Sequence, residues 1–391
     1  LAEGLAVRGH SILVISENMT DEPLREVRGG VEILRLPTVA GYGPNVYDEP
    51  RLGRLHERMR NPSPPPLEAR VAPALKAFDP DVMHTAVVGR LPQLWGLARQ
   101  MGVPAVHTLR SYSALCTRRM MRRDRPCLRQ CRDCMRSTLR GGAQAASAQV
   151  AAVVGISAHI LGIYRDAGWF PGAHADVIGN SYESEARDRV LAIDPQDKPF
   201  DVGYIGRLHP SKGVAAFLQA AERMSGTRAL KVVVTGTGNP DYVRMLRARY
   251  ESERIVFTGY GDPADFFAST RICVVPSLWY EPFGRIFVEA LYYGVPVLGS
   301  MRGGGAEVLT PETGRLFDPD DVPALAALLE EAVAMPPETY AAMSRAAVAR
   351  SDSYSVEAIA RRYEAVYEQV VGAGAEQGTA RATAKGRDAA A

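Results

Sequence analysis

Five short apolar runs, "DVGYIGRL", "ALKVVVTGTG", "RIVFTGY", "RICVVPS" and "VPVLGS", recur between residues 201 and 300. The helical patterns "KGVAAFLQAAERM", "DYVRMLRARY", "PADFFAS" and "GRIFVEALYYG" separate them. Runs this apolar and this short read as strands buried on both faces, and strand–helix–strand repetition implies a parallel sheet with helices on each side. The first half repeats the scheme. Strands are expected near Ser11–Ser16, Val31–Leu36, Asp81–His84, Ala105–Leu109, Ala151–Gly155 and Asp176–Gly179, with helices around Leu67–Ala77, Leu91–Met101 and Ala158–Ala167.

A chain of 391 residues is too long for one ordinary core. The polar stretch "SEARDRVLAIDPQDKP", Ser184–Pro199, separates the two halves. The expected architecture is therefore α/β, with two doubly wound Rossmann-like domains facing each other across a cleft. Residues 1–185 form the first domain and 196–350 the second. The apolar spacing of "SVEAIARRYEAVYEQVV" makes 355–371 a helix returning to the first domain, and the small, polar, aperiodic 374–391 is expected to be disordered. The opening "LAEGLAVRGH" reads as the end of a helix before a strand, so the first strand of the domain is expected to lie upstream.

Composition narrows the function. With 46% hydrophobic and 23% charged residues the chain is of the globular class. No run of 18 apolar residues occurs, so no transmembrane helix is expected. A net charge of +2 argues against whole-chain nucleic-acid binding. No G-x-x-x-x-G-K-[ST] occurs, which excludes a P-loop.

Ligands of open α/β sheets bind beyond the carboxyl ends of the strands, and the noteworthy residues of the second half fall there. Arg207 follows "VGYIG" and Lys212 follows in "RLHPSKG", where two cations and a helix start suit a diphosphate. Gly236 and Gly238 of "VVVTGTG" either let a ligand approach the backbone or make a tight turn. In "LWYEPFGRIFVEALYYG", Glu281 lies in a loop and Glu289 about one turn into the next helix. A carboxylate can accept from two adjacent sugar hydroxyls, so two at different depths can hold two sugars. Phe283 and Gly284 offer backbone N–H groups at the helix start. The apolar neighbours in "IFVEALYY" make a merely solvated Glu289 costly.

These residues run as Gly206-Arg207-Leu208, Lys212-Gly213, Pro276-Ser277, Glu281 to Ala290, Gly294 to Val297, Gly304-Gly305, Glu307 and Thr313-Gly314. The order resembles the donor domain of the family-4 glycosyltransferases, retaining enzymes of the GT-B fold. The resemblance implies a UDP- or GDP-linked sugar donor. Arg207 and Lys212 would hold the diphosphate, Glu289 the ribose, and Glu281 the transferred sugar beside the amides of Phe283 and Gly284. It implies no metal for catalysis, since the cations neutralise the leaving group. A non-transferring relative of the same fold, an epimerase or phosphorylase, is the alternative.

The first half is less diagnostic. His107 ends the strand in "PAVHTLRSY"; in similar enzymes such a histidine lies near the reacting anomeric centre, while a lone histidine is otherwise a core residue. In "CTRRMMRRDRPCLRQCRDCMR", Cys116, Cys127, Cys131 and Cys134 have a spacing that suits a structural zinc. The last three also match the C-x3-C-x2-C of radical S-adenosylmethionine iron–sulfur enzymes, a different class; disulfides are the plain reading. Ten arginines lie between Arg110 and Arg140 against Asp124 and Asp133. They point to an anionic membrane surface or a phosphate-bearing acceptor, beside the plain reading of a solvated insertion. Cysteine-bearing insertions occur at this point in glycosyltransferases that resemble this chain, several of them associated with surface polysaccharide assembly. A lipid-linked or surface-polysaccharide acceptor, and a cytoplasmic place peripheral to the membrane's inner face, follow from that resemblance.

Overall fold

The computed structural model describes residues 1–18, 23–37, 67–86, 91–116, 142–224 and 230–388, and residues 121–122, 125–127, 130–132 and 134–135 of the cysteine-bearing insertion. Arginines 118, 119, 123, 129, 136 and 140, with Asp124 and Asp133, lie outside the described residues.

In the first half the strands are β1 (Leu13–Asn18), β2 (Leu24–Arg28), β3 (Val31–Pro37), β4 (Met83–Thr85), β5 (Ala105–Leu109), β6 (Met121–Arg122), β7 (Arg125–Pro126), β8 (Ala152–Gly155) and β9 (His174–Val177). They form sheets in the orders β1-β3-β2, β4-β5-β8-β9 and β6-β7. Strand β2 departs from the expected all-parallel scheme by pairing antiparallel with β3. Gly29 and Gly30 both adopt positive φ, 56° and 76°, as a two-residue hairpin turn requires. The strand is an edge with mostly exposed side chains, so charged "LREVR" carries no apolar signal.

The second half adds β10 (Phe200–Ile205), β11 (Val232–Thr235), β12 (Ile255–Gly259), β13 (Thr270–Val275), β14 (Val297–Ser300) and β15 (Gly314–Phe317). All pair in parallel, in the order β12-β11-β10-β13-β14-β15. Side chains alternate between faces. Val202, Tyr204, Val232, Val234, Ile272 and Val274 pack with Val214, Phe217, Leu325 and Leu329 of two covering helices. Phe217 is fully buried there, worth about 2 kcal/mol by area. On the opposite face Gly203 and Gly299 leave room for the rings of Phe266 and Phe287; a Cβ at either would come within 2.7 Å and 2.4 Å of them.

Two compact units result: Leu1–His107 with Ala146–Ala152 and Ala360–Ala391, and Thr108–Ala145 with Val153–Ile359. Packing thus draws the boundary away from Ser184–Pro199. The segments around Tyr112 and Ser157 bond to the loops at Tyr280, Pro282 and Glu307 of the later half. The terminal helix runs from Val356 to Asp388, further than the expected 371. Alanine is the commonest residue of the extension, five of the residues from Gly372 to Asp388, and it propagates a helix already nucleated although the stretch carries four glycines and has no apolar period. Glu364 of that helix accepts from Arg8 and lies 2.8 Å from His10, and the Tyr367 hydroxyl lies 2.6 Å from His84 Nδ1.

Candidate functional site

The strand order of the second sheet reverses direction between β10 and β13, where open α/β sheets hold their ligands. Glycines knit the loops there. Gly213 (φ +69°) brings its backbone so near β13's loop that a Cβ would lie 1.8 Å from the Pro276 carbonyl. Leu278 and Trp279 N–H groups both donate to Ser211 O, at 2.9 and 3.0 Å. Gly236 and Gly238 meet the carbonyls of Gly206 and Leu208 at 1.8 and 1.9 Å from an added Cβ. Their part is therefore loop-to-loop approach against the Gly206-Arg207-Leu208 turn, a use of glycine other than the two expected for that motif.

Lys212 and Glu281 stand together at this point. Lys212 Nζ donates to Glu281 Oε1, which also accepts from Ser277 Oγ at 3.0 Å. The ammonium lies 5.4 Å from the Trp279 ring centroid, a cation–π distance. Glu281 is buried and Lys212 half-buried, so the pair is shielded from full solvent screening. Arg207 is exposed and has no ion pair among the described residues; its carbonyl accepts from the Tyr204 hydroxyl at 2.8 Å, which fixes the turn that carries it.

Gly284 (φ +76°) ends the loop and opens the helix Arg285–Tyr292. Glu289 is buried on the fifth residue of that helix and pairs with Arg285 one turn earlier, at 3.1 Å. Burial raises its carboxyl above the ordinary range, and Arg285 partly opposes the shift. The two glutamates thus have separate partners, Lys212 with Ser277 and Arg285. The Phe283 ring is buried against Tyr354, centroids 6.0 Å apart, and against Gly179. Its side chain is spent on packing.

A second loop braces the first. Gly304 N donates to Glu281 O at 2.7 Å, and a Cβ on Gly304 would fall 2.4 Å from both Pro282 O and Ser157 Oγ. Ser157 caps the helix Ala158–Asp166, accepting from Ile160 N, and donates to Pro282 O at 2.5 Å. Glu307 accepts from the Ala158 and His159 N–H groups, each at 2.7 Å, placing a carboxylate at the positive end of that helix. His159 stacks on Tyr280 at 5.4 Å and 8°. Sequence reasoning assigned no role to Ser157, His159, Trp279 or Arg285, and named Ser277 only as part of the motif run. The Arg285–Glu289 spacing was a local signal; Ser157 and His159 meet the later loops through long-range packing.

His107 belongs to the other unit and is 2% exposed. Its Nδ1 lies 2.9 Å from Thr85 Oγ1, which also accepts from Trp95 Nε1 at 3.1 Å. Burial, with His84 nearby, lowers it to about 3, so the ring is neutral at working pH. That environment lets the neutral ring hydrogen-bond near neutrality. Cys116 and Cys134 are buried with their sulfurs 3.1 Å apart, and Cys127 and Cys131 are half-buried; none forms a disulfide. Among the described residues no three His, Cys, Asp or Glu are grouped as around a metal ion. No helix among them is long and apolar enough to cross a membrane.

Residues 199–334 match the family model of glycosyl transferases group 1, and residues 1–181 that of a glycosyl transferase 4-like domain. A GDP-mannose-dependent alpha-mannosyltransferase from Mycobacterium tuberculosis is 30% identical over 339 residues, 81% of this chain and 77% of the relative. An uncharacterized 42.6 kDa protein in the cps region of Klebsiella pneumoniae is 25% identical, covering 82% of this chain and 85% of its own. Sucrose-phosphate synthase from Thermosynechococcus elongatus superposes with a TM-score of 0.69 at 22% identity, over 95% of this chain and 92% of that one. Anabaena HepE, in complex with UDP and glucose, does so at 0.63 and 20% identity, over 87% of each chain. The shared fold is GT-B, two Rossmann-like α/β domains.

Proposed function

We propose that this chain, which belongs to the glycosyl transferases of group 1 and moves a sugar from a nucleoside-diphosphate donor, transfers it with retention to a glycan of a surface polysaccharide or its lipid-linked precursor. The observation that carries the donor reading is the Lys212–Glu281 pair beside Arg207 at the β10/β13 reversal. Lys212 and Arg207 take the charge of the leaving diphosphate, the part a metal plays elsewhere. Glu281 faces the transferred sugar beside the Phe283 and Gly284 amides, and Glu289 accepts from the ribose hydroxyls. The acceptor reading draws on the ten arginines between Arg110 and Arg140, which suit an anionic, phosphate-bearing acceptor at a membrane surface, and on the cps-region relative. It places the enzyme on the cytoplasmic side, peripheral to the membrane, with a structural ion left to the thiols of the insertion.

Calorimetry with UDP-glucose and GDP-mannose against pH tests the donor site. A carboxylate accepts from two hydroxyls through charged oxygens, whereas a carboxyl turns one of them into a donor and accepts more weakly. Donor affinity is therefore expected to fall on acidification, with a midpoint above the ordinary glutamate value because burial raises Glu289. Arg285→Ala moves the midpoint higher, since Arg285 opposes the shift. Glu289→Ala removes the step and weakens binding at pH 7.5, a chosen assay condition, by roughly 10–100-fold. Unfolding does not mimic the effect. A carboxyl raised in the folded state favours folding below its unfolded value, and that stability is lost as pH rises, the opposite direction. Unchanged affinity in Glu289→Ala defeats the assignment.

A further inference from the structure

We propose that Arg302 is a positioning residue of the transfer reaction: it fixes the loop Leu278–Glu281, and through that loop the Trp279 ring and the Lys212 ammonium. This role rests on Lys212 facing the donor diphosphate. Arg302 follows β14 in "GSMRGGG". Its side chain is 15% exposed, too little for a merely solvated charge. The guanidinium spans two loops. Nη1 donates to Leu278 O at 3.3 Å, while Nη2 donates to Asp318 Oδ1 at 3.1 Å and to Asp320 Oδ2. The aspartates lie just past β15 in a turn of their own. Asp320 N donates to Asp318 Oδ1 at 3.1 Å, and Asp321 N to Asp318 O at 2.9 Å. Both carboxylates are exposed, so solvent screens their pull on the cation. What they give Arg302 is a direction.

The loop that this strut holds is short and carries both partners of Lys212, the Trp279 ring and the Glu281 carboxylate. At its far end Gly304 N donates to Glu281 O at 2.7 Å. Gly303 meets Glu281 as an isolated parallel bridge, and a Cβ on Gly303 would lie 2.4 Å from Glu281 O. Residues 302–304 thus grip the loop at both ends, the glycines at Glu281 and Arg302 at Leu278. The grip at Leu278 differs in kind, because it comes from a long side chain. A guanidinium reaches both loops with two nitrogens of one rigid plane. A lysine ammonium has three donors on a single nitrogen, so it serves one loop or the other. Without Arg302, Leu278 O loses its charged donor and the neighbouring Trp279 can shift. A misplacement of ~1 Å near the chemistry costs up to about 10²-fold in rate.

The test uses the full chain labelled with 5-fluorotryptophan and observed by fluorine NMR. Its three tryptophans are Trp95, Trp169 and Trp279, and Trp279→Phe assigns the resonance of the third. Turnover is followed as release of UDP or GDP from UDP-glucose or GDP-mannose. Arg302→Ala is expected to move the Trp279 resonance and leave the other two in place. It should lower kcat about tenfold while KM changes by less than about threefold. Arg302→Lys should recover only part of the lost rate. Should Arg302→Ala fail to fold, Asp318→Asn with Asp320→Asn frees the guanidinium in a milder way, and the same resonance should move. A Trp279 resonance that stays in place in the folded variant overturns the proposal. So does a moved resonance with kcat within twofold of wild type, and so does full recovery in Arg302→Lys. Lys212→Ala separates the two readings. If it is impaired while Arg302→Ala is not, the role of Arg302 alone fails; if it turns over like wild type, the donor reading fails as well.

Discussion

Replacing Lys212 with alanine is expected to lower kcat for the cognate nucleotide sugar by about 10²–10³-fold, with a smaller change in KM. The cation is held between the Glu281 carboxylate and the Trp279 ring, so it is placed before charge develops on the departing diphosphate. Its removal also leaves the Glu281 carboxylate buried without its cation, held by Ser277 Oγ. Two losses therefore combine in one variant, and they separate through a cycle. Glu281→Gln keeps a hydrogen-bonding group but removes the charge. If the pair acts as a unit, the double variant costs less than the product of the single losses. Single-turnover assays, with circular dichroism to check folding, measure all three. Turnover of Lys212→Ala within twofold of wild type would sink the role of the lysine. Lys212→Arg is expected to rescue only in part, because a planar fork replaces a compact ammonium under the same ring.

The second sheet was legible because its strands are buried on both faces and read as unbroken Val/Ile runs. Its ligand end was legible for a related reason: parallel strands present all their carboxyl-end loops on one edge, so Arg207, Lys212 and Glu281 converge without any local signal. Partners from distant segments had no such signature. Glu307 caps a helix that begins about 150 positions earlier in the chain, and nothing in "GGGAEV" states where that helix lies. Edge strand β2 failed to register because one-sided pairing needs no apolar alternation. His107 shows the converse limit, since nothing in a histidine at a strand end announces that it meets Thr85 and Trp95. The helix continuing to Asp388 reflects propensity, which a search for apolar period does not see.

Gly213 is a position where backbone geometry and chemistry meet tightly, and Gly213→Ala should be among the most damaging single-methyl changes near the site. The residue sits at φ +69°, where a side chain costs about 1 kcal/mol. The added Cβ would also lie 1.8 Å from the Pro276 carbonyl, which ends β13's strand and begins the Glu281 loop. That loop cannot retreat freely, because Leu278 and Trp279 N–H groups are bonded to Ser211 O on Gly213's own side. Overpacking of this kind adds about 1–3 kcal/mol, so a total loss of roughly 2–4 kcal/mol is expected. Gly259 supplies the control. Its φ is +77°, but nothing lies within 4 Å of an added Cβ. Gly259→Ala should therefore cost only the conformational part, about 1 kcal/mol, and keep full transfer activity. Chemical denaturation of both variants separates the two contributions. Since Lys212 immediately precedes Gly213, a displaced loop also pulls the ammonium from Glu281, and transfer should fall even where Gly213→Ala remains folded. Equal destabilisation of the two variants would mean that the Pro276 loop yields, and that the close approach does not fix the lysine.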